Sequence, residues 1–140
     1  MMDRESASIE RACTRIVHAY AKLADFGDAA GAAALFAESG RLEMPNGQVF
    51  AGRDAVRMRL EQQPGSQVSR HVISNVLVDV VDANSASGTC YLSLYRGTRN
   101  AEGVLPLAAP FLIGHYEDRF VLTPDGWKFV WRKLTSAFRS

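Results

Sequence analysis

Between residues 8 and 24 the apolar positions Ile9, Cys13, Ile16, Val17, Tyr20, Leu23 and Ala24 recur three and four apart. That spacing lines one face of a helix. Ser6 or Ser8 is placed to cap its start, leaving residues 1–6 as a frayed end. The pattern breaks at Asp25-Phe26-Gly27-Asp28, where Gly27 supplies a stop and Asp28 an N-cap for a second helix over residues 29–37. Asp25 is left with no evident structural task. Leu35 and Phe36 are the large anchors of that second helix. Residues 40–44 then alternate as a short strand, Pro45-Asn46-Gly47 turns the chain, and residues 48–50 return. Residues 52–63 are helical again, with Ala55, Val56 and Leu60 as the apolar side, and Pro64-Gly65 ends them.

From residue 69 the period changes to two, and the longest such run covers residues 69–81. His71, Ile73, Asn75 and Leu77 fall on one face; Arg70, Val72, Ser74, Val76 and Val78 fall on the other. Both faces carry apolar residues, so a strand covered on both sides is expected. A histidine and an asparagine on a covered face need a partner or a task. Further strands are expected over residues 86–99, over 108–122 with an interruption near Pro110 and Gly114, and over 127–138. In the last, Trp127, Phe129 and Trp131 alternate against Lys128, Val130 and Arg132, which makes Arg132 a strand-edge or subunit-contact residue. His115 shares a face with Glu117 and Arg119 that reads as solvated, and His18 falls outside the apolar stripe of the first helix. Helices followed by a meander of strands give an α+β class. The expected architecture is a curved, mixed but mostly antiparallel sheet wrapped around the long N-terminal helix, a cone with an internal pocket.

The 140 residues fit one domain, 1–140. A net charge of +1 with scattered arginines argues against an electrostatic nucleic-acid binder. The small cluster Arg53, Arg57 and Arg59 reads as a solvated helix face. Cys13 and Cys90 fit no metal-ligand spacing. Cys13 lies on the apolar stripe and reads as a buried thiol, while a disulfide between the two stays open. No glycine-rich phosphate loop or metal triplet occurs, so no cofactor is expected. No apolar run reaches membrane-spanning length, and residues 1–10 are too polar for a signal peptide, so no membrane partner and a cytoplasmic location are expected.

Several short elements together resemble a known family: Tyr20 with Asp25-Phe26-Gly27-Asp28; Leu35-Phe36-Ala37-Glu38; Phe50-Ala51-Gly52-Arg53-Asp54-Ala55-Val56; Arg70-His71-Val72-Ile73-Ser74-Asn75; Gly114-His115-Tyr116-Glu117-Asp118; and Gly126-Trp127-Lys128-Phe129 with Arg132. They occur in the order found in the SnoaL-like branch of the nuclear-transport-factor-like (cystatin-like) superfamily. That superfamily includes ketosteroid isomerase, scytalone dehydratase, polyketide cyclases, hexachlorocyclohexane dehydrochlorinase and the small subunits of ring-hydroxylating dioxygenases. In the dehydratase and dehydrochlorinase members an aspartate ending the first helix pairs with a histidine opening the long strand. The resemblance places those roles on Asp25 and His71.

Such a pair has a definite chemistry. Histidine exchanges protons near neutral pH, and a carboxylate behind it fixes the tautomer and stabilises the imidazolium. The expected function is a small cofactor-independent lyase or isomerase acting on an apolar cyclic molecule. Tyr20, Phe36, Met44, Phe111 and Trp131 are the expected pocket walls, and Asn75 can hydrogen-bond a substrate oxygen. From the residues alone, His71 stays open between a base and a hydrogen-bonded rim residue, and Asp25 between an orienting carboxylate and a turn residue. Two other readings fit the same resemblance: a non-catalytic binding domain for an apolar ligand, and a structural subunit like those of the dioxygenases. A homodimer through the sheet face is expected by analogy.

Overall fold

A computed structural model describes residues 3–140. Helix α1 spans Arg4–Asp25 and starts earlier than its apolar stripe. The cap is Asp3, whose Oδ1 accepts the Ser6 amide at 2.7 Å, so the first turn forms without apolar spacing and neither Ser6 nor Ser8 is needed. The buried residues Ile9, Cys13, Val17, Tyr20, Ala21 and Ala24 follow the stripe. Of the expected frayed end, residues 1 and 2 lie outside the described residues. Phe26 caps the far end, and Gly27 takes the left-handed φ of 78° that lets the chain turn away.

Helix α2 is a single short turn, Ala29–Ala33, capped by Asp28 accepting the Gly31 amide at 2.8 Å. It is shorter than expected because Leu35 and Phe36 belong to the sheet: the Phe129 amide donates to the Leu35 carbonyl at 2.9 Å. Strand β1 therefore runs Phe36–Glu43, β2 follows at Val49–Ala51, and helix α3 covers Arg53–Glu61. Four long strands complete the chain: β3 Gln67–Asp82, β4 Ser85–Thr98, β5 Leu112–Thr123 and β6 Gly126–Arg139. They form one six-stranded sheet in the order β2-β1-β6-β5-β4-β3, antiparallel except for β1 against β6. The α+β class and the mostly antiparallel sheet against a long N-terminal helix are as the sequence indicates.

Two β-bulges set which side chains face the helix. In β3, Ser74 pairs with Tyr91 and Leu77 with Thr89, so Asn75 and Val76 together oppose Cys90. Asn75 takes a φ of 54° there. The inward series changes phase at this point: His71 and Ile73 before it, Val76, Val78 and Val80 after it. In β6, Trp131 pairs with Arg119 and Phe129 with Phe120, leaving Val130 as the extra residue. Phe129 and Arg132, three apart, are consequently both fully buried. The expected irregularity near Pro110 and Gly114 takes this form: β5 begins only at Leu112, and its register with β6 shifts between Ile113 and Gly114, where a Cβ would overlap the Thr135 carbonyl oxygen.

Strand β3 is an edge, and its outer face is uncovered, contrary to the expectation of cover on both sides. Val72, Leu77 and Val81 are 51%, 68% and 67% exposed. The core lies on the other face, between α1 and the sheet, around Tyr20, Phe36, Phe120 and Phe129. Phe36 and Phe120 each stand about 5 Å from the Phe129 ring, at 5.1 and 5.3 Å. Cys13 and Cys90 are both buried free thiols. Burial pushes Cys13 up to about 12 and Cys90 up to about 11. No described helix is long and apolar enough to cross a membrane.

Candidate active site

The last residue of α1 and the first turn of β3 meet. Asp25 ends the helix, and Ser69 and His71 point inward from the strand. Asp25 Oδ1 accepts the Ser69 hydroxyl at 3.2 Å and lies 2.5 Å from His71 Nδ1; Oδ2 accepts the His71 backbone amide at 2.9 Å. Both side chains are largely buried, 7% exposed for Asp25 and 10% for His71. A carboxylate offers only acceptors. The Nδ1 of His71 is therefore the protonated nitrogen of the neutral ring, and Nε2 on its far side carries the free lone pair.

His71 lines a small, partly open cavity of about 50 Å³, the space of one or two water molecules. Leu42, Met44, Leu60, Leu94 and Leu134 form its apolar walls. Tyr20 from α1 and Tyr116 from β5 also line it, and neither hydroxyl finds a hydrogen-bond partner among the described residues. Burial holds both phenols above the ordinary tyrosine range, so each is a proton donor at neutral pH. Arg59 and Gln63 on one side and Arg96 on the other complete the lining.

Beneath the two tyrosines lies a buried ion pair. Arg132 Nε and Nη2 donate to Asp118 Oδ1 and Oδ2 at 2.7 and 3.2 Å. The guanidinium carbon is 3.6 Å from the Tyr116 ring centroid, 4.5 Å from that of Phe129 and 4.8 Å from that of Tyr20. Arg132 is fully buried, which corrects its expected place at a strand edge. The bulge at Val130 turns it inward, and Asp118 directly across β5 neutralises it.

Of the six expected pocket residues, Tyr20 and Met44 share the cavity with His71. Phe36 does not reach it; it is fully buried behind Tyr20, ring edge to ring face at 5.9 Å. Phe111 is half-buried beneath Arg96, 4.8 Å from its guanidinium, and backs the lining without entering it. Asn75 is exposed, because the β3 bulge swings it off the inner face. Trp131 is turned to the outer face by the β6 bulge and lies under the Arg119 guanidinium at 5.1 Å.

Ser69, Tyr116 and Asp118 also contribute to the site. Ser69 stands two residues before His71 on the same face, a signal that period two contains. Tyr116 and Asp118 occupy the face opposite His115 and Glu117 and follow from the same alternation. The Arg53, Arg57, Arg59 cluster is not one solvated face. Arg53 donates to the Phe36 carbonyl at 2.9 Å, Arg57 pairs with Glu61 in solvent, and Arg59 lines the cavity. No group of potential metal ligands occurs among the described residues.

Residues 5–133 match the SnoaL-like domain, and the chain belongs to that family, whose members include polyketide cyclases and scytalone dehydratase-like proteins. No curated protein matches it. Three solved structures resemble it in fold. A Novosphingobium aromaticivorans protein provisionally named a scytalone dehydratase is 24% identical with a TM-score of 0.84, over 98% of this chain and 89% of that one. An NTF2-like protein with a cystatin-like fold from the same organism is 21% identical with a TM-score of 0.76, over 100% and 94%. A Catenulispora acidiphila protein in complex with S-DNPA is 16% identical with a TM-score of 0.76, over 93% and 94%.

Proposed function

We propose that this SnoaL-like domain is a cofactor-independent lyase or isomerase in which Asp25 and His71 form a general base acting on an apolar cyclic substrate. The observation that carries the reading is the three-donor contact of Asp25, which leaves His71 Nε2 as the basic atom on the cavity side. Nε2 takes a proton from a carbon beside a carbonyl, and the imidazolium formed is stabilised by Asp25. The electron pair left on carbon moves onto the carbonyl oxygen, where Tyr20 and Tyr116, as protonated phenols, donate to the developing charge. The enolate then expels a leaving group on the adjacent carbon, or the imidazolium returns the proton to a different carbon. The first course is elimination and the second isomerisation.

A ring-sized substrate needs more than the about 50 Å³ of this cavity, so binding displaces flexible lining residues, Met44 first among them. The provisional name of the N. aromaticivorans neighbour and the bound small molecule of the C. acidiphila neighbour are compatible with this use of the fold.

The test is exchange of the α-protons of α-tetralone into deuterium oxide, followed by NMR. This apolar bicyclic ketone requires only the proton-abstraction step. The wild-type protein is expected to accelerate exchange and His71→Ala to lose the acceleration while remaining folded. Equal acceleration by His71→Ala sinks the mechanism.

A further inference from the structure

Arg59 of α3 and Arg96 of β4 both line the cavity that His71 lines. Arg96 sits directly opposite Ser69 in the β3–β4 register, and Leu94, two residues before it, sits opposite His71. The guanidinium is therefore a near neighbour of the Asp25–His71 contact on the inner face. Arg59 is half-buried and Arg96 exposed, and both are held at the cavity without a carboxylate. Arg41, Arg57 and Arg132 each have a carboxylate partner. Neither Arg59 nor Arg96 makes an ion pair or a side-chain hydrogen bond among the described residues. The carboxylate of Asp25 is already taken up by Ser69 and His71.

What holds the two guanidiniums is aromatic. Arg59 lies 5.8 Å from the Phe50 ring centroid and Arg96 4.8 Å from that of Phe111. A ring face supports the cation but satisfies none of its N–H donors. The two charges also act on each other: the Arg96 guanidinium is held below the usual arginine range, first by burial and then by the like charge of Arg59. Two like charges at the edge of one apolar cavity, steadied by rings and with solvent-reachable donors free of any acid, are placed to take one anion together. A planar carboxylate matches the donor fork of either guanidinium.

We propose that Arg59 and Arg96 form an anion-binding rim, so that the cavity takes apolar ring compounds bearing one carboxylate, the ring entering among the leucines and the carboxylate staying at the arginines. This names the ligand class of the cavity described above. It rests on that reading for the cavity's role in binding, and not for the proton transfer.

The experiment is calorimetric titration of the full chain with β-naphthoate and with β-naphthamide, its uncharged counterpart of nearly equal shape. The wild type is expected to prefer the carboxylate by about tenfold or more, the scale of a charge-assisted hydrogen bond. Arg59→Met and Arg96→Met are each expected to reduce the preference and the double variant to abolish it, with melting temperature checking the fold. His71→Ala is expected to keep the preference, which separates this proposal from the proton-transfer reading: loss of α-tetralone exchange with the preference intact touches only the latter. Equal affinity of the wild type for the two ligands overturns the proposal, as does failure to bind either. A preference that survives in the folded double variant also overturns it. Because the first comparison uses the wild type alone, the proposal stays testable even if a variant does not fold.

Discussion

The carboxylate of Asp25 holds His71 twice, by its backbone amide and by its imidazole Nδ1. One acidic side chain thus fixes both where the histidine stands on β3 and which ring nitrogen carries the proton. With Ser69 as a third donor, no lone-pair direction toward the strand is left idle, and the end of α1 is tied to the start of β3.

Replacing Asp25 by Asn separates these two effects. The His71 amide needs an acceptor, so the Asn oxygen takes the Oδ2 position and its NH2 group faces Nδ1. The ring must then accept at Nδ1 and carry its proton on Nε2, which removes the base from the cavity. Exchange of α-tetralone protons is expected to fall by about 10³–10⁴-fold, with a change in stability of only about 1 kcal/mol, the scale of one altered hydrogen bond. Steady-state exchange rates and urea denaturation measure the two quantities.

The Asp118–Arg132 pair is a stability element. Asp118→Ala strands a fully buried guanidinium and is expected to cost about 3–5 kcal/mol in urea denaturation. Replacing both partners together, Asp118→Leu with Arg132→Met, removes the uncompensated charge and is expected to cost less than the single change. A double variant less stable than Asp118→Ala would show that the pair is not the source of the effect.

The thiols give a direct check on the core. Burial keeps Cys13 and Cys90 protonated up to about 12 and about 11, and the thiolate is the reactive form. Neither is expected to react with iodoacetamide at pH 8 in the folded protein. Both are expected to react fully in denaturant, as read by intact mass.

Asn75 was a candidate for substrate contact, and its actual position makes a separate prediction. With φ at 54° in a bulge, Asn75→Gly keeps the backbone and is expected to change stability by less than about 1 kcal/mol. Asn75→Val, β-branched at a left-handed position, is expected to cost about 1–3 kcal/mol. The Gly variant is expected to leave α-tetralone exchange unchanged, because the side chain is exposed and outside the cavity.

These outcomes show what periodicity can and cannot reveal. The stripe from Ile9 to Ala24 located α1 and its buried face, and the break at Asp25 located the end of the helix. His71 lies before the first bulge, where alternation still places it on the inner face, while its pairing with Asp25 at the end of α1 came from the family resemblance and from no spacing in the chain. Strict alternation puts Asn75 and Trp131 inward and Arg132 outward, the reverse of their positions in the fold, for one shared reason. An extra residue in β3 and another in β6 each shift the phase of the strand, and a bulge leaves no spacing mark in a sequence read by period two. Phe36 reads locally as a helix anchor because its strand partner, Phe129, lies far along the chain. The arginines of the lining were hidden by composition: on α3, Arg57 and Arg59 look alike, and only the packing of α3 against α2 and β1 distinguishes the solvated one from the one that faces the cavity.

The most direct test of the central claim is the tautomer of His71, read by long-range proton–nitrogen NMR of the neutral ring in the wild type and in Asp25→Asn. The account predicts a protonated Nδ1 and a bare Nε2 in the wild type, with the reverse in the variant. A wild-type ring protonated at Nε2, or one tautomer shared by both proteins, would contradict it.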